Sequence, residues 1–269
     1  TRYIGVTGVQ TCALPIFEPA LVKRLGLQDF AQAIRTLHAP TPDMDAHALI
    51  EHTHPSWLRI KFDELLAQQL SLAAARDARR SLRAKTLLAN LEPDSLCARL
   101  LQSLPFSLTP AQQRVTAEIS ADLQRAFPMY RLLQGDVGSG KTIVACMAAL
   151  QAIESGWQVA FMAPTEILAE QHYQKMLTWL TPLNIQIAWL TGSQSKKDRE
   201  FSIHAIANGD AQLIVGTHAL FQEAVQFKKL GLAIIDEQHR FGVQQRLALR
   251  QKGQPEPHQL MMTATPIPR

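Results

Sequence analysis

Eight residues of the chain, Gly135-Asp136-Val137-Gly138-Ser139-Gly140-Lys141-Thr142, follow the spacing G-x-x-x-x-G-K-T. Glycines carry no Cβ, so a backbone rich in them turns tightly and can aim several N–H groups at one anion. A lysine at the end of such a turn reaches β- and γ-phosphates, and the hydroxyl beside it can ligate Mg²⁺. The eight residues therefore predict a phosphate-binding loop for ATP, with Lys141 acting on the phosphates and Thr142 on the metal. Further along, Leu232-Ala233-Ile234-Ile235 ends in two carboxylates, Asp236 and Glu237. An acid at that position holds Mg²⁺ through its water shell, and its neighbour orients and deprotonates an attacking water. Adjacent acids at a strand end are common turn residues by themselves. Downstream of a phosphate loop they form the second half of a hydrolytic site.

Both halves need a scaffold. The loop follows the short apolar run 131–134 and feeds an Ala-rich helical pattern from about Thr142 to Ser155, whose unpaired N–H groups and positive dipole end favour an anion. Apolar runs at 131–134, 158–163, 186–190, 212–216, 230–235 and 259–263 read as strands. Helical stretches near 110–126, 141–155, 166–180, 196–208 and 238–251 separate most of them. Short strands of nearly unbroken apolar character alternating with helices predict an α/β fold, a mostly parallel sheet covered on both faces. Ligands of such sheets lie at the carboxyl ends of the strands, where the glycine-rich loop falls.

The region before this pattern reads differently. Residues 17–105 are helical in composition, broken at Ala39-Pro40-Thr41-Pro42 and near Glu92-Pro93. Phe62, Leu65, Leu66, Leu70 and Ala73 fall on one helical stripe, followed by Arg76, Arg79, Arg80, Arg83 and Lys85, a charge run that reads first as a solvated face and second as a DNA contact. Residues 1–16, TRYIGVTGVQTCALPI, continue no helical or strand period and resemble translated sequencing-adapter sequence, so they are expected to lie outside the fold; a native strand end is the other reading.

Of 269 residues, 46% are hydrophobic, and 27 Lys+Arg against 23 Asp+Glu give a net charge of +4, which permits a polyanionic partner without requiring one. No window approaches the roughly 18 apolar residues of a membrane helix, and a cytoplasmic place is expected. Cys12, Cys97 and Cys146 are far apart, and His52 and His54 flank Thr53 beside Pro55, so neither a zinc site nor a disulfide framework is indicated.

Five blocks, GDVGSGKT (135–142), APTEILAEQH (163–172), VGTHALFQ (215–222), IIDEQHRFG (234–242) and MTATPIPR (262–269), stand in an order that resembles the first motor domain of superfamily 2 DNA helicases, most closely their RecG family of branched-DNA helicases. The resemblance implies a RecA-like domain at 106–269, incomplete at its carboxyl end, and, through RTLHAP (35–40), a helical linker at 17–105 between a DNA-binding wedge and the motor. It implies ATP and Mg²⁺ as ligands, branched double-stranded DNA as partner, a monomer in the bacterial cytoplasm and nucleoid, and contact with single-strand DNA-binding protein. By position, Phe106, Thr109 and Gln112 resemble an adenine-recognising element. Pro164, Thr165, Glu166, Gly216, Thr217 and His218 resemble loops that track a nucleic-acid backbone, although strand-to-helix turns would be spelled alike. Gln238, His239, Thr263, Ala264 and Thr265 resemble elements that couple phosphate state to domain motion. With one motor domain and no arginine supplied across a cleft, the 269 residues alone are expected to bind nucleotide weakly and hydrolyse it slowly. Three rival readings remain: a transcription-repair coupling translocase, a P-loop module that binds ATP without translocating, and an incomplete product with no activity.

Overall fold

The structure is a computed structural model that describes residues 19–237 and 252–264. The expected helix at 238–251, with Gln238 and His239, lies outside the described residues, as do Thr265 and the first sixteen positions. The chain divides into two compact units, Thr1–Asp77 and Ala78–Arg269.

In the first unit, helices α1 (Pro19–Arg24), α2 (Phe30–His38) and α3 (Ala46–Ile50) precede α4 (Pro55–Arg80), which continues past the division. Asp29 and Asp45 cap α2 and α3, their carboxylates accepting from the N–H groups of Gln32 and of His47 and Ala48. The buried Arg59 joins the elements: its Nη1 donates to Gln28 O at 2.9 Å and its Nε pairs with Asp63 at 3.0 Å. Of the apolar stripe along α4, Phe62 and Leu66 are half-buried. Leu65 is 61% and Leu70 49% exposed. Arg76 and Arg80 on α4 are exposed, as the charge run suggested, and so are Arg83 and Lys85 in the non-helical segment after it.

The second unit contains α5 (Leu96–Ser103), α6 (Pro110–Leu123), β1 (Tyr130–Gln134), α7 (Lys141–Glu154), β2 (Gln158–Met162), α8 (Glu166–Leu180), β3 (Ile187–Leu190), α9 (Lys196–Asn208), β4 (Leu213–Gly216), β5 (Leu230–Ile235) and β6 (His258–Thr263). The strands form one sheet in the order β1-β6-β5-β2-β4-β3, and every pairing is parallel. Six parallel strands with connecting helices give the expected α/β fold. The alternation of side chains along a strand distributes each one between two cores. Val159, Phe161, Leu213, Val215, Leu232 and Ile234 enter the core beside α7, while Ala160, Met162, Ile214, Ala233 and Ile235 enter the core beside α9. Burial on both faces explains why these strands read as continuous apolar runs. Helix α7 is buried from Ile143 to Ile153, which its alanines permit by allowing close packing against the sheet.

Residues 81–95, which the composition groups with a helical linker, are not helical and run along the sheet unit. Ala84 and Leu87 donate their N–H groups to Ala126 O and Leu123 O, at 3.0 Å each. Gln151 Nε2 donates to Leu87 O, and Glu154 accepts from Asn90 Nδ2 and Leu96 N. Leu87 and Leu100 are fully buried in the core beside α7. The change in composition near Pro105 and the boundary between compact units therefore fall at different places, because a strap with no regular period supplies core residues ahead of the first strand.

Candidate nucleotide and nucleic-acid site

Because all strands run the same way, the residues that follow their carboxyl ends share one edge of the sheet: Gly135 after β1, Ala163 after β2, Thr191 after β3, Thr217 after β4, Asp236 after β5 and Ala264 after β6. The described residues of all five sequence blocks reach that edge. Strand β6 lies between β1 and β5, so the glycine-rich loop and the acid pair stand two strand spacings apart, about 10 Å.

The loop is formed as its spelling requires. Gly138 and Gly140 have φ values of 81° and 82°, a region costly for any residue with a Cβ. Gly135 N donates to Thr263 O at 3.3 Å, which ties the start of the loop to the end of β6. The N-terminus of α7 has no side-chain cap; Ile143 N donates to Gly140 O at 3.1 Å, and the N–H groups of Lys141 and Thr142 stay available to an anion. Lys141 Nζ donates to Gly135 O at 2.6 Å and Asp136 O at 2.9 Å, two of its three N–H bonds, so the ammonium is folded across the loop. Asp136, Val137, Gly138 and Ser139 are exposed. Arg131, in the strand before the loop, is fixed to α6 by Asp122 and Glu118 at 2.7 Å each.

At the end of β5, Asp236 N donates to Met162 O at 2.8 Å, so the acid continues the ladder of the sheet. Its Oδ1 accepts from Glu237 N at 3.0 Å, and its Oδ2 lies 2.7 Å from His172 Nε2. Glu237 stands at φ 49°, a left-handed conformation that a side chain rarely adopts and that sharply re-aims the chain after the strand. A carboxylate pair and a threonine hydroxyl are hard oxygen donors of the type Mg²⁺ prefers. Glycine at 140, with φ 82°, lets the loop turn into the uncapped N-terminus of α7 while packing on α6, since a Cβ there would approach Gln112 Nε2 to 2.2 Å. The residues present therefore fit a magnesium nucleotide.

Other expected residues are placed differently. Gln112, read as a free amide for adenine, has both ends engaged: Oε1 accepts from Thr109 N and Nε2 donates to Ser139 O at 2.9 Å, completing a reciprocal cap of α6 and bracing the loop. Phe106 is half exposed. Thr165 caps α8 by accepting from Leu168 N, and Pro164 is half-buried. Glu166 carries a negative charge that repels phosphate. It instead braces the loop after β3, accepting from Ser193 N at 3.1 Å and Ser193 Oγ at 2.6 Å. The Ser193 hydroxyl first, then the Ser193 and Gly192 N–H groups and nearby His218, hold its carboxyl below the usual range against the opposing effect of desolvation. Gly216 is a packing glycine, since a Cβ there would lie 1.9 Å from Leu190 O. Thr217 is 1% exposed with its Oγ1 unpaired, so its hydroxyl cannot reach a phosphate in this conformation, whereas His218 is exposed. Thr263 is buried at the end of β6, and Ala264 is half-buried.

The sequence reading missed His172 and Ser193. A signal for the first existed: Ala169, His172, Met176 and Leu180, spaced three, four and four, form the buried stripe of α8, with one histidine in an otherwise apolar row. Ser193 carries no periodic signal.

Among the described residues, no helix is long and apolar enough to cross a membrane. The chain is 52% identical over 264 residues to the ATP-dependent DNA helicase RecG of Escherichia coli K12, covering 97% of this chain and 38% of that protein. It is 53% identical over 241 residues to the RecG of Pasteurella multocida, covering 88% of this chain and 34% of that one. It thus spans little more than a third of these relatives. Among solved structures, RecG bound to a three-way DNA junction superimposes with a TM-score of 0.76 at 37% identity, over 94% of this chain and 33% of that one. The helicase Lhr of Mycobacterium smegmatis, at 22% identity and a TM-score of 0.52 over 65% of this chain and 25% of that one, shares the fold. The family model for DEAD/DEAH box helicases matches residues 109–269, more than half of the chain, and the chain belongs to that family.

Proposed function

We propose that this chain carries the nucleotide-binding motor domain of an ATP-dependent translocase that remodels branched DNA, with residues 17–105 linking that motor to a DNA-binding wedge. The observation that carries the reading is the shared edge of the parallel sheet, where the phosphate loop, the acid pair and the loops after β2, β3 and β4 converge. Similarity to RecG proteins over nearly the whole chain, and to the RecG of a junction complex, supports branched DNA as the substrate. It favours this reading over a coupling translocase or a P-loop module that does not move.

In this reading the N–H groups of the loop that have no partner within the fold, together with the N-terminus of α7, hold the phosphates. Lys141 turns from its two carbonyl partners toward the β- and γ-phosphates, exchanging neutral acceptors for charged ones, which strengthens each hydrogen bond about twofold. Thr142 and Asp236 would hold Mg²⁺, and Glu237 orients the attacking water and takes its proton. Bound Mg²⁺ would neutralise charge developing on the phosphoryl oxygens. Gln112 braces the loop and has to exchange a protein partner before it can pair with adenine. His218 and the neighbouring N–H groups follow the DNA backbone, while Glu166 sets the shape of that surface. Gln238, His239 and the segment Thr263–Thr265 relay the state of the γ-phosphate. A monomer in the bacterial cytoplasm, working at the nucleoid and in reach of single-strand DNA-binding protein, fits this role.

The test is ATP turnover by the full-length protein with three-way-junction DNA, linear duplex of equal length and no DNA. Junction DNA should stimulate turnover most. Lys141→Ala should abolish nucleotide binding and turnover, and Glu237→Gln should bind ATP while lowering turnover at least about a hundredfold. Turnover indifferent to every DNA would favour the P-loop module, and normal turnover by Glu237→Gln would remove that residue from the role of base.

A further inference from the structure

We propose that His172 is a positioning residue for the hydrolytic acid pair: by donating from Nε2 to Asp236 Oδ2 it fixes the plane in which the Asp236 carboxylate meets the cation of the bound nucleotide. The inference rests on the nucleotide-site reading above. His172 Nε2 and Asp236 Oδ2 are 2.7 Å apart, and both side chains are about nine-tenths buried.

The surroundings decide the direction of this hydrogen bond. His172 Nδ1 is buried and has no hydrogen-bond partner among the described residues. A proton on Nδ1 would be an orphaned buried donor, which folded proteins avoid more strictly than an under-used acceptor. Nε2 is therefore the nitrogen that carries the donated proton, and Asp236 Oδ2 accepts it. With Glu237 N donating to Oδ1, each carboxylate oxygen has one protein donor, and the remaining lone pairs have a fixed direction. The histidine is fixed in turn. Its ring centroid lies 4.7 Å from that of Phe161 on β2, and Ala169 and Met176 on the same face of α8 are fully buried. The arrangement is that of an outer group which orients a carboxylate holding the metal through its water shell, and loss of such an outer partner commonly weakens metal affinity about 10- to 100-fold.

The test has two parts. In the unmodified chain labelled with ¹⁵N-histidine, long-range ¹H–¹⁵N spectra should show His172 as the Nε2–H tautomer. Calorimetry with the non-hydrolysable probe AMP-PNP should then show that His172→Leu weakens binding about tenfold in excess Mg²⁺ and leaves binding in EDTA unchanged. His172→Gln, whose amide reaches a similar position, should recover most of the loss. An Nδ1–H tautomer, equal affinity of His172→Leu and the unmodified chain in Mg²⁺, or an equal loss in EDTA would overturn the inference and leave the nucleotide site standing. If His172→Leu does not fold, the tautomer alone decides. An unmodified chain that binds no AMP-PNP with or without Mg²⁺ would overturn the nucleotide site and this inference together.

Discussion

Replacing Gly216 with alanine separates packing from recognition at a position that sequence assigns to nucleic acid. The new Cβ would lie 1.9 Å from Leu190 O, 2.9 Å from Leu190 C and 3.4 Å from Leu190 Cα, all backbone atoms of the paired edge strand β3. None can rotate away, so the strand itself must move by more than an ångström. The same Leu190 O accepts from Thr217 N at 3.2 Å, and Gly216 O accepts from Ala163 N at 3.0 Å, so the movement also strains two bonds that hold β4 in place. Overpacking of a formed core typically costs 1 to 3 kcal/mol, and one weakened hydrogen bond adds about 1. A loss of about 3 kcal/mol should lower the melting temperature of the chain by about 6 to 12 °C. Circular dichroism of the two proteins during heating measures this. Gly138→Ala is the control, since its Cβ would meet nothing within 4 Å and only its φ of 81° opposes the change; a loss of about 1 kcal/mol is expected there. If Gly216→Ala melts with the unmodified chain and instead loses DNA binding selectively, the steric account is refuted, and the glycine serves close approach of a phosphate backbone.

Leu87→Ala should cost about 2 to 5 kcal/mol in chemical denaturation, because Leu87 is fully buried beneath α7; a loss under 1 kcal/mol would show that residues 81–95 are not part of the sheet unit's core. His258 is held neutral, first by burial against the opposing effects of the Lys85 carbonyl and Asp122, and its pKa is depressed from 6.5. The unfolded chain therefore binds this proton before the folded one does, and His258 should contribute a loss of stability as pH falls below about 6.5, at most about 1.4 kcal/mol per pH unit, with no loss above it. Denaturation midpoints at pH 5.5 and 7.5 for the chain and for His258→Gln isolate this contribution, which is absent if both proteins respond alike. Cys97, whose thiol burial and Glu154 push up to about 12, and Cys146, raised by full burial, should resist iodoacetamide at pH 8 in the folded chain and react in urea, as peptide mass mapping would show.

The legibility of this molecule follows from how far each feature depends on neighbours in sequence. The phosphate loop is spelled by eight consecutive residues, because its function resides in consecutive backbone N–H groups, and the structure forms it with Gly138 and Gly140 in the left-handed region. The strands were legible because burial on both faces demands unbroken apolar runs; no observed bound differs by more than one residue, as at the starts of β1 and β6. The strand order was not legible, since nothing in β6 names β1 and β5 as its neighbours. Residues 81–95 misled because a strap that hydrogen-bonds to helix ends and loops has no period to detect. Gln112 is ambiguous for a different reason. An amide that can pair with adenine can equally close a capping box, and the local geometry of α6 satisfies it first.

Helix α8 shows what the one-dimensional reading could not supply. Its first residue, Glu166, accepts two hydrogen bonds from Ser193 in the loop after β3, and nearby His218, after β4, helps hold its carboxyl below the usual range. Six residues later, about 9 Å along the axis, His172 meets Asp236 after β5. One rigid element thus connects the loops on the proposed DNA side to the acid on the nucleotide side, through partners 27 and 64 positions away in sequence. A helix anchored to polar groups at both places cannot shift along its axis without disturbing one of them. In the sequence, the same block reads as a strand-to-helix turn followed by an amphipathic helix, and that reading is correct locally. Its functional content lies in the identity of two polar residues, one at the capped end and one in the buried stripe, whose partners only the sheet topology brings within reach.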